Sequence, residues 1–396
     1  MATPGQVIGV GKLITPGGKQ GPKGDAGTAV PLADVTQNGL LRQISGLTTD
    51  FVDGSNHCQN LQPLLRQYNS IRNPTMRMAQ RGLGPTTASG IGIDGWTTGG
   101  VGPASTYSRI AAAIPPDASG NKWYPYTAYA QRITITTAKT SLAAGDYLYA
   151  GYQAVEGLLA EPLKGVPTSI SLLVRASIPG TFSVNIQDAG STTYMYTMAA
   201  TIPVANVWTR IALPNIPAFP SAGSFPDGNV LCYYLEISLA GGSSYINPTL
   251  NTWGATQGFV APTQTNFAAT VGNTFDFTLV KHEPNPICTP FIGRSVEDEV
   301  SINYRYLWYP GGNFGYLGWM ANAQWTYEMG RITMPVPMRA APTIMAGSVF
   351  FVSSGNAGTP VLAYSNPGSV VLYNSSANWV GSTGWAGFNG GFTAEL

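Results

Sequence analysis

The sequence predicts an all-β protein: an antiparallel jelly-roll β-sandwich, a smaller C-terminal β domain and an N-terminal collagen-like, extended trimeric stalk. In a series of runs, apolar and polar residues alternate with a period of two, which is typical of strands with one buried face. The 48 glycines and 30 prolines among 396 residues suit short strands joined by tight turns. A glycine at every third position near the N-terminus predicts the stalk.

The stalk prediction rests on four consecutive triplets in residues 18–29. Their glycines are Gly18, Gly21, Gly24 and Gly27. A collagen triple helix requires this spacing because only glycine fits where three polyproline-II strands meet. We therefore predict a homotrimer whose shaft spans these residues, with another segment supplying most of the trimer's stability because the shaft is so short. A flexible Gly/Pro linker is the alternative.

Two segments flank the shaft. Residues 1–17 contain too few apolar residues to fold alone, so we predict an attachment peptide that orders on a partner. Residues 30–72 are predicted to form a neck, with turns at Asn38-Gly39 and Asp53-Gly54. At its end the apolar residues are spaced 3, 4 and 3 apart, at Leu61, Leu64, Tyr68 and Ile71. This spacing predicts a short three-stranded coiled coil or a single amphipathic helix packed on its own domain.

The predicted sandwich spans residues 73–283. Its alternating runs are residues 133–135, 170–174, 182–186, 207–213, 235–239 and 275–279. A proline-rich break then begins the predicted C-terminal domain, residues 284–396. Ser295, with Asp298 three residues later, predicts the start of a helix. Further strands are predicted at 302–308, 325–334, 343–353 and 369–373.

Charge and cysteine content exclude several classes of function. Only 10% of residues are charged and the net charge is +1, so we predict neither nucleic-acid binding nor attraction to anionic membranes. No apolar run approaches the roughly 18 residues of a membrane span, so no membrane insertion is expected. Cys58, Cys232 and Cys288 are widely spaced and predict neither a disulfide framework nor a metal site. We expect no cofactor.

Catalysis is not predicted. The densest acidic cluster, Glu297-Asp298-Glu299, suits the first turn of a helix, where negative charge is favoured. His57 and His282 are the only histidines, and neither lies near a nucleophile-elbow motif. The chain also has no repeat of 20 to 30 residues that would indicate a β-solenoid. We therefore predict a protein that is not an enzyme.

Aromatic side chains are the candidate ligand-binding residues, because sugars are held by aromatic faces together with amides and hydroxyls. Five of them crowd one loop-rich stretch: Trp308, Tyr309, Tyr316, Trp319 and Trp325. Packing between domains or across the trimer axis is one hypothesis for these residues. A receptor contact is the other.

Several blocks in a fixed order resemble bacteriophage virion fibre proteins whose head is a carbohydrate-binding-module-like jelly roll. The blocks are residues 73–82, Asp94-Gly95-Trp96, residues 153–157, Thr289-Pro290-Phe291, residues 296–306 and residues 331–343. Gly95 stands where the family's usual Asp-Arg-Trp block has arginine. The collagen-like stub is also common in phage fibres.

The resemblance implies a homotrimeric structural fibre on the virion surface, synthesised in the host cytoplasm. Its N-terminus would attach to a phage structural protein of the tail, collar or capsid. As a tail fibre it would bind a receptor, a host-surface glycan. The alternatives are a capsid-attached head or collar fibre with a mainly decorative role, and a polysaccharide depolymerase. A secreted bacterial collagen-like adhesin is disfavoured because Met1 to Pro4 do not begin a signal peptide.

Overall fold

A computed structural model describes most of the chain after residue 67. The described residues are 50–52, 58–60, 68–84, 86–87, 90–116, 128–190, 194–255, 258–310, 314–317, 328–345, 348–352, 360–374, 386–389 and 391–396. The predicted attachment peptide and the predicted shaft with its four glycines lie outside these residues. The chain divides into two compact units, Met1–Leu65 and Arg66–Leu396. In the first unit, β1 (Asp50–Val52) and β2 (Cys58–Asn60) form an antiparallel hairpin.

The second unit begins with thirteen described strands that form a β-sandwich. They are β3 (Thr86–Thr87), β4 (Gly90–Ile91), β5 (Thr97–Val101), β6 (Ala104–Ala112), β7 (Ala128–Thr137), β8 (Tyr147–Glu156), β9 (Thr168–Ala176), β10 (Gly180–Asp188), β11 (Met195–Ile202), β12 (Thr209–Ile216), β13 (Leu231–Gly241), β14 (Trp253–Gly254) and β15 (Thr274–Glu283). Short helical turns interrupt them at α1 (Gly157–Ala160), Glu161–Leu163, Ser243–Tyr245 and Phe267–Ala269.

Two antiparallel sheets make up the sandwich. Among the described residues, sheet A has the strand order β14-β11-β10-β13-β8-β5-β4 and sheet B has the order β12-β9-β15-β7-β6-β3. One core contains apolar side chains from both sheets, such as Leu235 and Ile237 from sheet A and Phe275 and Phe277 from sheet B. Each predicted alternating run coincides with or overlaps a strand. The predicted antiparallel sandwich is therefore confirmed.

The segment leading into the sandwich differs from the prediction. Residues 68–71 are not helical. The prediction of a helix that extends through Ile71 is therefore wrong for these four residues. Ile71 is fully buried in the sandwich core. The side-chain amide of Asn69 donates to the carbonyl of Val280 at 2.9 Å. The backbone N–H of Ser70 also donates to the carbonyl of His282 at 3.2 Å, so this segment is hydrogen-bonded to β15. Residues 61–67 lie outside the described residues.

Gly95 and Trp96 belong to one of the sequence blocks that resemble phage fibre proteins. Trp96 is fully buried, and its ring meets that of Phe277 edge-on with centroids 5.0 Å apart. Gly95 has a φ of 81°, a left-handed conformation that favours glycine. Glycine in the middle of this block therefore suits the turn that places Trp96 in the core.

The C-terminal part begins with α2 (Val296–Tyr304). Its predicted cap is confirmed, because the Ser295 hydroxyl accepts a hydrogen bond from the backbone N–H of Asp298 at 3.0 Å. The strand predicted at residues 302–308 is wrong at its start, since the helix continues through Tyr304. Only β16 (Leu307–Trp308) of that segment is a strand.

The remaining described strands form three small sheets. They are β17 (Phe314–Leu317), β18 (Glu328–Thr333), β19 (Thr343–Ile344), β20 (Val349–Val352), β21 (Pro360–Asn366), β22 (Ser369–Asn374), β23 (Ala386–Asn389) and β24 (Phe392–Thr393). A separate small core includes Met338, Val370, Leu372 and Phe392. The smaller C-terminal β region is therefore confirmed, and the predicted domain boundary at residue 283 stays a prediction.

Candidate functional site

A groove lined by tyrosines lies on the outer face of sheet A. It encloses about 450 Å³, within the range of roughly 300–1,000 Å³ that is typical of small-molecule sites. The lining comes from β5, β8, β10 and β13, which are neighbours in the sheet. The lining residues are Thr97, Thr98, Gly99, Gly100, Tyr147, Tyr149, Tyr152, Gln187, Tyr234 and Glu236. We call this feature the tyrosine groove.

Strand alternation places the first two tyrosines on this face. Along β8, Leu148 and Ala150 are buried in the sandwich core. Tyr147 precedes Leu148, and Tyr149 lies between Leu148 and Ala150. Both tyrosines are half-buried. Successive side chains of a strand point to opposite faces, so the two tyrosines lie on the outer face.

A β-bulge brings Tyr152 to the same face. Tyr149 and Gly151 oppose consecutive residues of β13, so β8 carries one extra residue at this point. A Cβ atom on Gly151 would lie 2.8 Å from the ring of Phe277. Gly151 therefore permits close approach to the core, and the bulge restores Tyr152 to the outer face.

The tyrosine rings form a row. The centroid of Tyr149 lies 5.3 Å from that of Tyr147 and 5.7 Å from that of Tyr152. Tyr152 in turn lies 5.9 Å from Tyr234 of β13. The Tyr152 hydroxyl also pairs with the side chain of Thr97 on β5. These partly exposed rings give the groove an extended aromatic wall with hydroxyl groups along it.

A chain segment covers the other half of the same face. We call residues 242–247 and 258–264 the covering segment. Asn185 of β10 donates to the carbonyl of Phe259 at 2.9 Å. Asn247 donates to the hydroxyl of Thr197 on β11 at 3.0 Å. The Phe259 ring lies 5.0 Å from that of Tyr149, so the covering segment packs against the row of tyrosines.

Glu236 lies in the floor of the groove. In the sheet register it is opposite Tyr152 on β8 and opposite Asn185 on β10. Glu236 is 5% exposed, and its Oε2 atom has no hydrogen-bond partner among the described residues. Burial raises the pKa of its carboxyl group from 4.5 to about 8. At pH 7 the carboxyl group is therefore mostly protonated.

Of the candidate aromatic residues of the C-terminal part, Trp308 and Tyr309 do not line this groove. Trp308 is 8% exposed and packs in the small core. Its ring stacks on that of Phe392 with centroids 6.0 Å apart. Trp308 therefore packs within the small C-terminal core. Packing between domains or across the trimer axis stays a prediction.

Of the other four candidates, the structure describes Tyr309 and the strand that contains Tyr316. Tyr309 is half-buried, and its backbone N–H donates to the side chain of Gln80 at 2.9 Å. Tyr316 belongs to β17. Trp319 and Trp325 lie outside the described residues. A receptor contact by these residues stays a prediction.

The acidic cluster at the start of α2 has a structural role. The Glu299 carboxylate is 3.1 Å from a guanidinium nitrogen of Arg294. It also accepts a hydrogen bond from the side chain of Asn303 at 2.9 Å. Its partners thus secure the helix.

His282 is part of the core. It is fully buried, and its Nδ1 atom lies 2.7 Å from the Tyr233 hydroxyl, while Nε2 lies 3.1 Å from the Thr168 hydroxyl. Burial lowers the pKa of its imidazole to about 3, so the ring is neutral near pH 7. His57 lies outside the described residues.

No group of three or more metal-ligating side chains occurs among the described residues. Within the same part of the chain, Cys232 and Cys288 are free thiols. Nor do the described residues include a helix with the length and apolar character needed to cross a membrane.

Sequence reasoning missed the tyrosine groove, although a signal was present. Tyr147 and Tyr149 alternate with Leu148 and Ala150, which indicates an aromatic outer face on a strand. Tyr234 and Glu236 alternate in the same way along the run at 235–239. Tyrosines on the exposed face of two predicted strands are the pattern that would have identified these residues.

No family model matches the sequence, and no curated protein matches it. The solved structures that are similar to part of the chain include the following three. The enzymatically active domain of tailspike protein 4 from bacteriophage CBA120 is 12% identical with a TM-score of 0.30, over 54% of this chain and 21% of that structure. A putative sugar-binding protein from Bacteroides thetaiotaomicron is 12% identical with a TM-score of 0.30, over 55% and 100% of the two chains. A family 11 carbohydrate-binding module from Clostridium thermocellum is 10% identical with a TM-score of 0.27, over 52% and 98%.

Proposed function

We propose that this chain binds a host-surface glycan through the tyrosine groove, as a homotrimeric fibre on a bacteriophage virion. The observation that carries the binding proposal is the row of half-buried tyrosines beside Glu236, whose Oε2 atom has no hydrogen-bond partner among the described residues. The fibre role rests on the sequence, through the collagen-like triplets and the resemblance to phage fibres.

The chemistry of the groove suits a saccharide. The C–H face of a sugar ring packs on aromatic faces, and Tyr149, Tyr152 and Tyr234 offer such faces in a row. Hydroxyl groups of the sugar need hydrogen-bond partners when water is displaced. Glu236 and Gln187 in the lining supply polar groups for them. Shape and polar chemistry together support sugar binding.

The virion role has separate support in the N-terminal sequence. Residues 1–17 would attach to a phage structural protein and residues 18–29 would form the trimeric shaft. The receptor-binding part would then be displayed away from the particle. Deleting residues 1–17 should leave a folded trimer that is absent from particles, as measured by light scattering and by immunoblotting of purified virions. Incorporation of the deleted protein would contradict this role.

Cell binding tests the glycan proposal. The labelled full chain is titrated onto intact candidate host cells before and after their surface polysaccharide is removed. We expect saturable binding that is lost after removal, and lost also in a Tyr152→Ala/Tyr234→Ala variant. Tyr194→Ala, a half-buried tyrosine outside the groove lining, is the matched control.

Two other outcomes would redirect the assignment. A verified trimer that binds no host cell would favour a head or collar fibre with a mainly structural role. Release of reducing sugar ends from host polysaccharide, abolished by Glu236→Gln, would instead favour a depolymerase.

A further inference from the structure

The buried carboxyl group of Glu236 requires an explanation. Most buried polar atoms in folded proteins have a hydrogen-bond partner, because an unpaired one costs free energy. Oε2 of Glu236 lacks such a partner among the described residues, and the side chain lines an open groove. A ligand group in the groove that donates hydrogen bonds to the Glu236 side chain would offset the cost of burying its carboxyl group.

The surroundings of Glu236 favour a positively charged group. Its titratable neighbours are Tyr149 and Tyr152 on β8 and Tyr234 on its own strand. The other two strands of the lining contribute uncharged side chains to the groove, Thr97 from β5 and Gln187 from β10. The lining includes no lysine, arginine or histidine in the part of the chain that is described. Aromatic faces attract cations, and so does a carboxylate.

We propose that the glycan bound in the tyrosine groove carries an ammonium group, as in a 2-amino-2-deoxy sugar, and that this group pairs with Glu236 between the tyrosine rings. The inference rests on the proposed function and specifies its ligand. The carboxylate would neutralise the ammonium group while the sugar ring packs on the aromatic wall.

Proton release follows from this pairing. Because burial raises the pKa of Glu236 to about 8, the free groove holds a protonated carboxyl group at pH 7. An ammonium group favours the ionised form, so its binding releases the carboxyl proton to solvent. Affinity for an amino sugar should therefore rise with pH from about 5 until the amine itself loses its proton.

Calorimetry on the full chain compares sugars that differ at one position. Glucosamine is paired with glucose, and the β-1,4-linked glucosamine tetrasaccharide with cellotetraose. We expect the amino sugars to bind about tenfold more tightly or better. In the Glu236→Gln variant, the affinity for an amino sugar should exceed that for its neutral counterpart by about threefold or less. Glu161→Gln changes an exposed acid outside the groove and should keep the full preference.

The pairing has a second readout that needs no variant. Titration of glucosamine in two buffers of different ionisation heat should show release of nearly one proton per bound amine at pH 7, and glucose should release none. Equal affinity for amino and neutral sugars, or no saturable binding of either amino sugar, would overturn the inference. Lysine amide binding as tightly as glucosamine would overturn the assignment to a sugar.

These results separate the inference from the proposed function. If neutral sugars bind and Tyr152→Ala/Tyr234→Ala abolishes their binding, the groove is a glycan site without a preference for amines. If amino and neutral sugars both fail to bind, and cell binding is also unaffected by the tyrosine variant, both proposals are overturned.

Discussion

The outer face of sheet A has two halves. Both follow the same strand alternation, but one half is covered by the chain and the other forms a groove. On β10 and β11, the outward residues include Asn185 and Thr197, whose short polar side chains bind the covering segment. On β8 and β13, the outward residues include Tyr152 and Tyr234, whose large rings leave a groove. The size and polarity of the outward side chains therefore decide whether a sheet face binds its own chain or remains open.

Hydrogen bonds join the covered half to the covering segment. The hydroxyl of Thr197 donates to the carbonyl of Gly258 at 3.0 Å and accepts from Asn247 at 3.0 Å. Glu236, one strand away from β10, keeps an unpartnered carboxyl oxygen among the described residues. Asn185 Oδ1 in the covered half likewise lacks a partner among these residues, so Glu236 differs from it in lining the groove.

The largest effect is expected at Phe259, which joins the covering segment to the groove. Phe259 is 6% exposed and contacts the rings of Tyr149 and Tyr245 at centroid distances of 5.0 and 4.6 Å. Phe259→Ala should lower the free energy of unfolding by about 3 kcal/mol, because it leaves a cavity in a packed site. Urea unfolding measures this change. Val271→Ala, at a residue that is 61% exposed, is the control and should change stability by less than about 0.5 kcal/mol.

Asn185 should rank second. Its side-chain amide donates to Phe259 and to the Ser238 hydroxyl at 2.9 and 3.1 Å. Asn185→Ala leaves these buried acceptors unsatisfied and should cost about 2 kcal/mol of unfolding free energy. The same urea titration checks the value, with Thr136→Ala at an exposed position of sheet B as control. A loss below about 0.5 kcal/mol would mean that the covering segment is held mainly by its apolar contacts.

Glu236 should make stability fall with rising pH. Its folded pKa of about 8 exceeds its ordinary value of 4.5, so the folded state holds the proton more tightly. The contribution of Glu236 to the free energy of unfolding is fully present below pH 4.5 and is lost as the pH rises to about 8. The slope approaches about 1.4 kcal/mol per pH unit. Glu236→Gln should remove this slope in unfolding titrations from pH 4.5 to 8, whereas a slope unchanged from wild type would show that Glu236 ionises normally.

The smallest effect on stability is expected in the open half. Tyr234 is half-buried and its ring lies at the end of the row. Tyr234→Ala should change the free energy of unfolding by about 0.5 kcal/mol or less. A loss of about 2 kcal/mol, measured beside Phe259→Ala, would show that the tyrosine row is a packed core and not an open surface.

The sandwich could be predicted from the sequence because alternation is a local signal. Ser295 and Asp298 likewise identified the start of α2. At Ile302 and Tyr304, however, the same alternation misled, since the helix continues there and is secured by the bond between Asn303 and Glu299. Alternation alone cannot distinguish the last turn of a helix from a short strand.

The groove depends on information that is not local. Tyr152 and Glu236 meet because β8 and β13 are neighbours in a particular register. The bulge at Gly151 then decides which face Tyr152 occupies. Neither the pairing of distant strands nor one extra residue in a strand can be read from the pattern of a single run. The aromatic residues at 308–325, by contrast, are close together in the sequence, and this local pattern predicted a binding site there.

A panel of immobilised glycans tests the central claim most directly. The full wild-type chain, Tyr152→Ala/Tyr234→Ala and Tyr194→Ala are titrated on amino, acetylated, acidic and neutral oligosaccharides. We predict saturable binding by wild type and Tyr194→Ala to at least one glycan, strongest for the amino sugars, and its loss in the double variant. Equal binding by the double variant would place the glycan site outside the tyrosine groove and contradict the account.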